Sequence, residues 1–173
     1  MALRGKRWGK ETVAKFLGGQ VIFNLTGDRT KEEYVKDLDG IIARSTDLTP
    51  AMAKVLKYLM GATLRTFEAE GRPRRWQPLS AFTIADRRQQ GFSDGPILDR
   101  TGELKRSLTQ SGARGSIQVA RPRSLRYGSS LSRFEIHQKG LENVPARVML
   151  IIQQQDKSQI SRTLNAFVRE GRV

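Results

Sequence analysis

His137 is the single histidine of this chain, and any histidine-dependent chemistry would have to run through it. Glu135 lies two residues before it, and Ser129, Ser130 and Ser132 lie a little further upstream. A serine–histidine pair needs a third group to orient the imidazole, and a serine nucleophile on a sharp strand-to-helix turn carries a glycine-flanked motif. Neither feature is present. On a helix Glu135 and His137 point to different sides. On a strand they share a face, but no third partner follows at useful spacing. The chain has no cysteine, which excludes disulfides, thiolate metal sites and cysteine nucleophiles. One histidine also excludes a histidine-cluster metal site within a single chain. The carboxylate pairs Asp37/Asp39 and Glu68/Glu70 lack the apolar surroundings that raise a pKa and read as solvated helix faces. Thr101-Gly102 lacks the glycine-rich lysine loop that cradles phosphate, and reads as a turn into a helix with Thr101 as its cap. The sequence thus points away from an enzyme. No catalytic residue, no metal ligand and no cofactor is expected.

His137 reads instead as a hydrogen-bonded structural residue, with Gln138 beside it supplying amide contacts. Gly140 is expected to end that turn in a left-handed conformation. Pro145-Ala146-Arg147 reads as extended, because the residue before a proline avoids the helical region. Arg147 is expected to pair with a carboxylate of its own chain, the rival being a neighbour's carboxylate.

Charge is the strongest compositional signal. The 173 residues carry a net +14. Residues 72–133 hold 13 Lys and Arg against 4 Asp and Glu, a net of +9, and the first 15 residues add Arg4, Lys6, Arg7, Lys10 and Lys15 against Glu11 alone. Such a balance attracts polyanions, whether nucleic acid or acidic protein faces. The apolar fraction of 38% is low for a compact monomer and suits a subunit completed by neighbours. The longest apolar run, Val148–Ile152, is far short of a membrane span, and the basic N-terminus has no apolar stretch of the signal-peptide kind, so neither is expected.

The elements that would position these groups can be read locally. Residues 1–19 read as a basic arm, in which Val13, Phe16 and Leu17 suit one turn of helix, and residues 20–173 as a single domain. Gln20–Thr26 reads as a strand. A helix follows from a Thr30/Glu33 capping box, with Tyr34, Val35, Leu38, Ile41 and Ile42 on one face; a strand over 33–44 is the rival. The clearest element is a long amphipathic helix over 49–70, with Thr49 as cap and Pro50 in the first turn. Met52, Val55, Leu56, Leu59, Met60, Thr63, Leu64 and Phe67 form its core stripe. A short helix capped by Ser80, another near 103–108, strands at 116–120 and 125–129, helical turns over 132–138, a last strand at 147–153 and a final helix capped by Asp156 complete the order. This is an α+β pattern: a small antiparallel sheet packed against the long helix, with a short N-terminal helix and a C-terminal helix.

Three blocks of this sequence, in order, resemble the bacteriophage virion morphogenesis family, which includes the tail-completion proteins of Mu-like and P2-like phages. The first holds Trp76, Pro78, Leu79 and Ser80, followed by Thr83 and the pair Arg87-Arg88. The second holds Ile97, Leu98, Thr101, Gly102, Leu104 and Ser107. The third holds His137, Gln138, Gly140, Pro145, Ala146 and Arg147. Phe134-Glu135 stands where the family often has Tyr-Ala, and Arg147-Val148-Met149-Leu150 where it often has Arg-Pro-Phe-Leu. The resemblance implies a structural virion protein for tail completion and head–tail joining at the neck, found in the host cytoplasm during assembly. It implies a homo-oligomeric ring, hexameric or dodecameric, that docks to the tail tube or terminator and to the head connector, close to the channel that genomic DNA crosses. The partner-facing candidates are Arg4, Lys6, Arg7, Arg72, Arg74, Arg75, Arg87 and Arg88. The alternative is a stand-alone basic nucleic-acid-binding protein, although the chain offers no recognition helix, zinc site or aromatic RNA-binding motif.

Overall fold

The computed structural model describes residues 11–17, 20–26 and 30–172, and Arg4, Lys6 and Arg7 lie outside them. The chain divides into two compact units, Met1–Ala43 and Arg44–Val173.

In the first unit, strands β1 (Glu11–Leu17) and β2 (Gln20–Thr26) pair antiparallel, with Phe16 opposite Val21 and Val13 opposite Asn24. The second strand lies where its β-branched and aromatic residues place it. The helical turn expected at Val13, Phe16 and Leu17 is a strand instead. Ladder pairing with the adjoining β-rich segment satisfies backbone groups that one isolated helical turn leaves orphaned. Helix α1 (Lys31–Thr46) starts at the expected capping box. The Thr30 amide donates to Glu33 Oε2 at 2.9 Å, and the Glu33 amide donates to Thr30 Oγ1 at 3.3 Å. Its apolar face is not buried: Val35, Leu38 and Ile42 are all exposed.

The second unit is built around α2 (Thr49–Glu68), whose one side buries Ala51, Val55, Ala62, Thr63, Thr66 and Phe67. The helix begins one residue earlier than its sequence suggests, with Leu48 at the N-cap, Thr49 already helical and no side-chain cap. Asp47 Oδ1 accepts the Thr49 amide at 2.9 Å and takes over the capping role. The helix turns off at Gly71, whose φ of 118° admits no ordinary side chain. A Cβ there would lie 2.5 Å from the Arg74 carbonyl oxygen and 2.6 Å from the Trp76 nitrogen. This tight reversal brings Trp76 back onto Phe67, edge to face, with ring centroids 5.6 Å apart.

Next come α3 (Ala81–Gln89), α4 (Glu103–Thr109), the hairpin β3 (Ser116–Arg121) and β4 (Ser124–Ser129), α5 (Ser132–Lys139) and α6 (Gln154–Glu170). The hairpin pairs Val119 with Arg126 and Ile117 with Gly128. It packs against α2 and α4, while α6 lies along α2. The core gathers Phe67, Trp76, Ile97, Leu104, Leu108 and Met149, with Leu79, Leu98, Leu131, Phe134 and Leu150 packed against it. The fold is therefore α+β, with an antiparallel hairpin on the long helix and helices toward both ends.

Three local expectations change. Residues 147–153 form no strand. They run extended through the core edge, and side chains rather than a ladder hold their backbone, as described below. Asp156 is not the N-cap of α6 but its third residue: it closes a capping box with Gln153, accepting the Gln153 amide at 2.8 Å. The N-cap of α4 is Gly102, at φ 72°, and Thr101 sits one position before it, its hydroxyl 3.4 Å from the Glu103 amide.

Candidate functional site

The three sequence blocks converge on one cleft of about 440 Å³. The first block contributes Pro78, Leu79, Thr83 and Arg87; the second Leu98, Arg100, Thr101, Gly102, Glu103 and Leu104; the third His137, Pro145 and Arg147; Arg133, from just ahead of the third block, joins them. Trp76 and Gln138 are not among its lining residues; they hold the segment that follows Arg147.

That segment depends on Gln138. Its Oε1 accepts the amides of Met149 at 2.9 Å and Leu150 at 3.1 Å, and its Nε2 donates to the Leu150 carbonyl at 2.8 Å. The Trp76 indole N–H donates to the Val148 carbonyl at 3.0 Å, and the Arg147 amide donates to the His137 carbonyl at 2.6 Å. Extended backbone thus finds its partners without a neighbouring strand. Gly140 permits the turn that leads there. Its φ of 81° is positive as expected, but its ψ of 158° takes it outside the left-handed helical region. A Cβ on it would meet the Ala146 nitrogen at 3.1 Å. Pro145 and Ala146 therefore lie against a glycine that has to stay a glycine.

Arg147 is only 7% exposed. Among the described residues it has no carboxylate partner of the kind expected. Its Nε and Nη2 donate to the Gln77 carbonyl at 3.2 and 3.1 Å, and Nη2 also reaches the Pro78 carbonyl at 3.4 Å. Burial first, and then the nearby Arg87, push its pKa below the ordinary arginine value. Arg87, expected to face a partner, is turned inward and is 5% exposed. Its Nη1 donates to the Gly95 and Pro96 carbonyls at 2.9 and 3.2 Å. Neighbouring Arg88 behaves in the opposite way, lying exposed and forked onto Asp94. Its pKa is raised and that of Asp94 lowered by their hydrogen bond.

His137 is half-buried at the same cleft. The hydrogen bond expected for its side chain is missing at Nδ1, which is sealed from solvent and has no partner among the described residues. Burial, then Arg147, then Arg133 push its pKa below 6.5. The imidazole is thus neutral in the folded chain at neutral pH. Glu103 is the one carboxylate among the lining residues, and it is engaged by Arg133 and, at 3.8 Å, by Arg114. Arg100 stacks over Phe92 at 4.9 Å and lies 4.0 Å from Asp86.

The remaining basic candidates are on the surface. Arg74 and Arg75 are exposed, with Arg75 3.2 Å from Glu70. Arg72 is half-buried, its Nη1 3.5 Å from the Ala62 carbonyl. Among the described residues no three His, Cys, Asp or Glu side chains form a metal-holding group, and no helix is long and apolar enough to cross a membrane. Sequence reasoning missed the inward turn of Arg87, the contribution of Arg133 and the clamp made by Gln138.

The fold and its cleft define a domain that presents a basic, partly apolar recess held open by backbone-bound guanidinium groups. The chain belongs to the phage virion morphogenesis family, whose model matches residues 31–169. It is therefore a phage protein of virion assembly, with a structural part in the particle. No curated protein and no solved structure matches the chain significantly.

Proposed function

We propose that this chain completes phage tails and joins them to heads, working by assembly and not by turnover. The observation that carries the reading is the meeting of all three family-like blocks in one cleft, Thr101 and Gly102 from one side, Pro78 and Leu79 from another, His137 and Arg147 from a third. Copies of the chain associate head to tail through unlike surfaces, and such contacts close into a ring when the rotation closes. One face of the ring meets the tail tube or terminator and the other the head connector. The exposed basic side chains, Arg74, Arg75 and the arm residues Arg4, Lys6 and Arg7, orient docking onto acidic neighbours.

The deciding experiment is electron microscopy of particles produced without this protein. Separate full heads and separate tails are expected, with joined particles restored when the protein is supplied. Joined, infectious particles in its absence would overturn the proposal. The net charge of +14 favours one second reading, a nucleic-acid-binding protein. That reading requires tight, salt-sensitive retardation of DNA by the purified chain, because each neutralised phosphate releases counterions.

A further inference from the structure

We propose that the cleft receives an extended acidic segment of an assembly partner, whose carboxylates seat against Arg87 and Arg147 and whose apolar side chains lie on Pro78, Leu79, Leu98 and Pro145. This deepens the assembly reading and rests on it.

Arg87 and Arg147 are both more than nine-tenths buried, and among the described residues neither has a carboxylate partner. Backbone carbonyls take up part of each guanidinium: Gly95 and Pro96 for Arg87, Gln77 and Pro78 for Arg147. Carbonyl dipoles orient the two groups but leave both positive charges uncompensated. Two like charges withdrawn from water beside one another destabilise a fold unless an anion joins them. Arginine suits that anion, because its planar fork binds a carboxylate through two parallel hydrogen bonds. His137 lines the same cleft, and its buried Nδ1 has no hydrogen-bond partner among the described residues.

A carboxylate-bearing peptide fits this recess better than a nucleic acid does. A volume of about 440 Å³ lies within the roughly 300–1,000 Å³ of clefts that take small ligands. It is no track for a polynucleotide backbone. Proline and leucine line it where a nucleic-acid groove would carry aromatic stacking platforms. The one lining carboxylate, Glu103, is held at the rim by Arg133, so the interior remains positive.

The test uses the full chain and a short fluorescein-labelled peptide alternating glutamate with leucine. Controls are the same peptide with glutamine for glutamate and a labelled single-stranded oligonucleotide. Fluorescence anisotropy is expected to show the glutamate peptide binding at least about tenfold more tightly than the glutamine peptide. Because His137 is the only histidine, its ring resonances report the site directly, and they are expected to shift with a raised pKa as the glutamate peptide saturates. Arg147→Gln and Arg87→Gln are expected to remove the discrimination. Both residues also hold backbone, so Arg100→Glu with Arg133→Glu at the more open rim provides a second variant, expected to weaken binding by about tenfold. Changing Arg4, Lys6 and Arg7 to Gln should leave the discrimination intact. Equal binding of both peptides, His137 resonances that do not move, or oligonucleotide binding that displaces the peptide and depends on Arg87 and Arg147 would each overturn the inference. A protein that restores joined particles yet ignores the peptide loses the cleft proposal and keeps the assembly reading.

Discussion

Gln138 holds Met149 and Leu150 as a neighbouring strand would, with one carboxamide making three hydrogen bonds of 2.8 to 3.1 Å to two consecutive residues. The His-Gln pair thereby has divided roles: His137 borders the cleft, and Gln138 secures the extended segment behind it. Met149 is 1% exposed, so loosening this clamp opens the core.

Gln138→Ala should strand two amides and a carbonyl in a half-buried setting. A cost of about 2–3 kcal/mol is expected, since each unsatisfied buried group costs about 1–3 kcal/mol and water reaches part of this one. Gln138→Glu should not restore the clamp, because its carboxylate still accepts both amides but sets its second oxygen, an acceptor, against the Leu150 carbonyl. Urea unfolding of the three proteins checks that both variants are less stable; equal midpoints would remove Gln138 from the account.

Tyr58 and Asp156 tie α2 to α6. The phenol donates to Asp156 Oδ1 at 2.7 Å while Oδ2 accepts the Gln153 amide. The hydrogen bond to Asp156, ahead of burial, raises the Tyr58 pKa. Tyr58→Phe is expected to cost about 1.5–3 kcal/mol, the range for a hydrogen bond to a charged group. Asp156→Ala should cost more, since it also removes the capping box. The double variant should fall short of the sum, and a double-mutant cycle measures the coupling.

Elements whose information is local were legible in the sequence. Ser80 caps α3 as its position implies, accepting the Thr83 amide at 3.2 Å. Leu104 and Leu108, four apart, both lie in the core. Gly171 ends α6 at φ 68°. Information carried by distant partners was not legible. Arg87 and Arg88 look alike in sequence, but one helical step turns adjacent residues about 100° apart, and the carbonyls that trap Arg87 come from residues 95 and 96. The β-rich composition of 147–153 implied a last strand, which the chain does not form. What it could not show was that Gln138 and Trp76 replace the missing strand. The blocks were readable in order, yet their meeting at one cleft depends on the reversal at Gly71 and the turn at Gly140.

His137 should make the chain sensitive to mild acid. Its folded pKa lies below the unfolded value of 6.5, with burial as the main cause and the charges of Arg147 and Arg133 following. Arg87 and Arg100 line the same cleft, and Glu103 is already engaged. The unfolded chain therefore binds the proton first. Stability is full above pH 6.5 and falls as pH drops from there through the folded pKa. His137→Gln should flatten this part of the profile. Chemical denaturation between pH 5 and pH 8, with the histidine titration followed by magnetic resonance, tests both statements.

Tyr127 should set a limit at the alkaline end. Burial pushes its pKa up to about 12, partly countered by Thr63. Its hydroxyl lies 2.6 Å from the Leu108 carbonyl and 2.9 Å from Thr63 Oγ1, joining β4 to α4 and α2. A raised acid favours its protonated form in the fold. The contribution is complete below the unfolded pKa of about 10 and is lost as pH rises through about 12. Tyr127→Phe removes that dependence and should cost about 1 kcal/mol near neutral pH. Unfolding midpoints from pH 8 to pH 11.5 would show the wild-type curve falling towards the variant's.

Arg74 and Arg75 are the described arginines best placed to separate docking from folding. Both are exposed, and the contact of Arg75 with Glu70 is a surface ion pair worth about 0–1 kcal/mol. Glu70 keeps a second bond, accepting the Ile97 amide at 3.0 Å, so the loop stays anchored when Arg75 changes. Arg72 is less suitable alone because its side chain reaches the Ala62 carbonyl. Arg74→Glu with Arg75→Glu should therefore shift the unfolding free energy by no more than about 1 kcal/mol. If these side chains orient the chain against acidic neighbours, reversing their charge should leave soluble, folded protein and yield tails that fail to join heads. Adding Arg72→Glu should deepen that defect. Near-normal phage titres from both variants would show that this loop makes no docking contact.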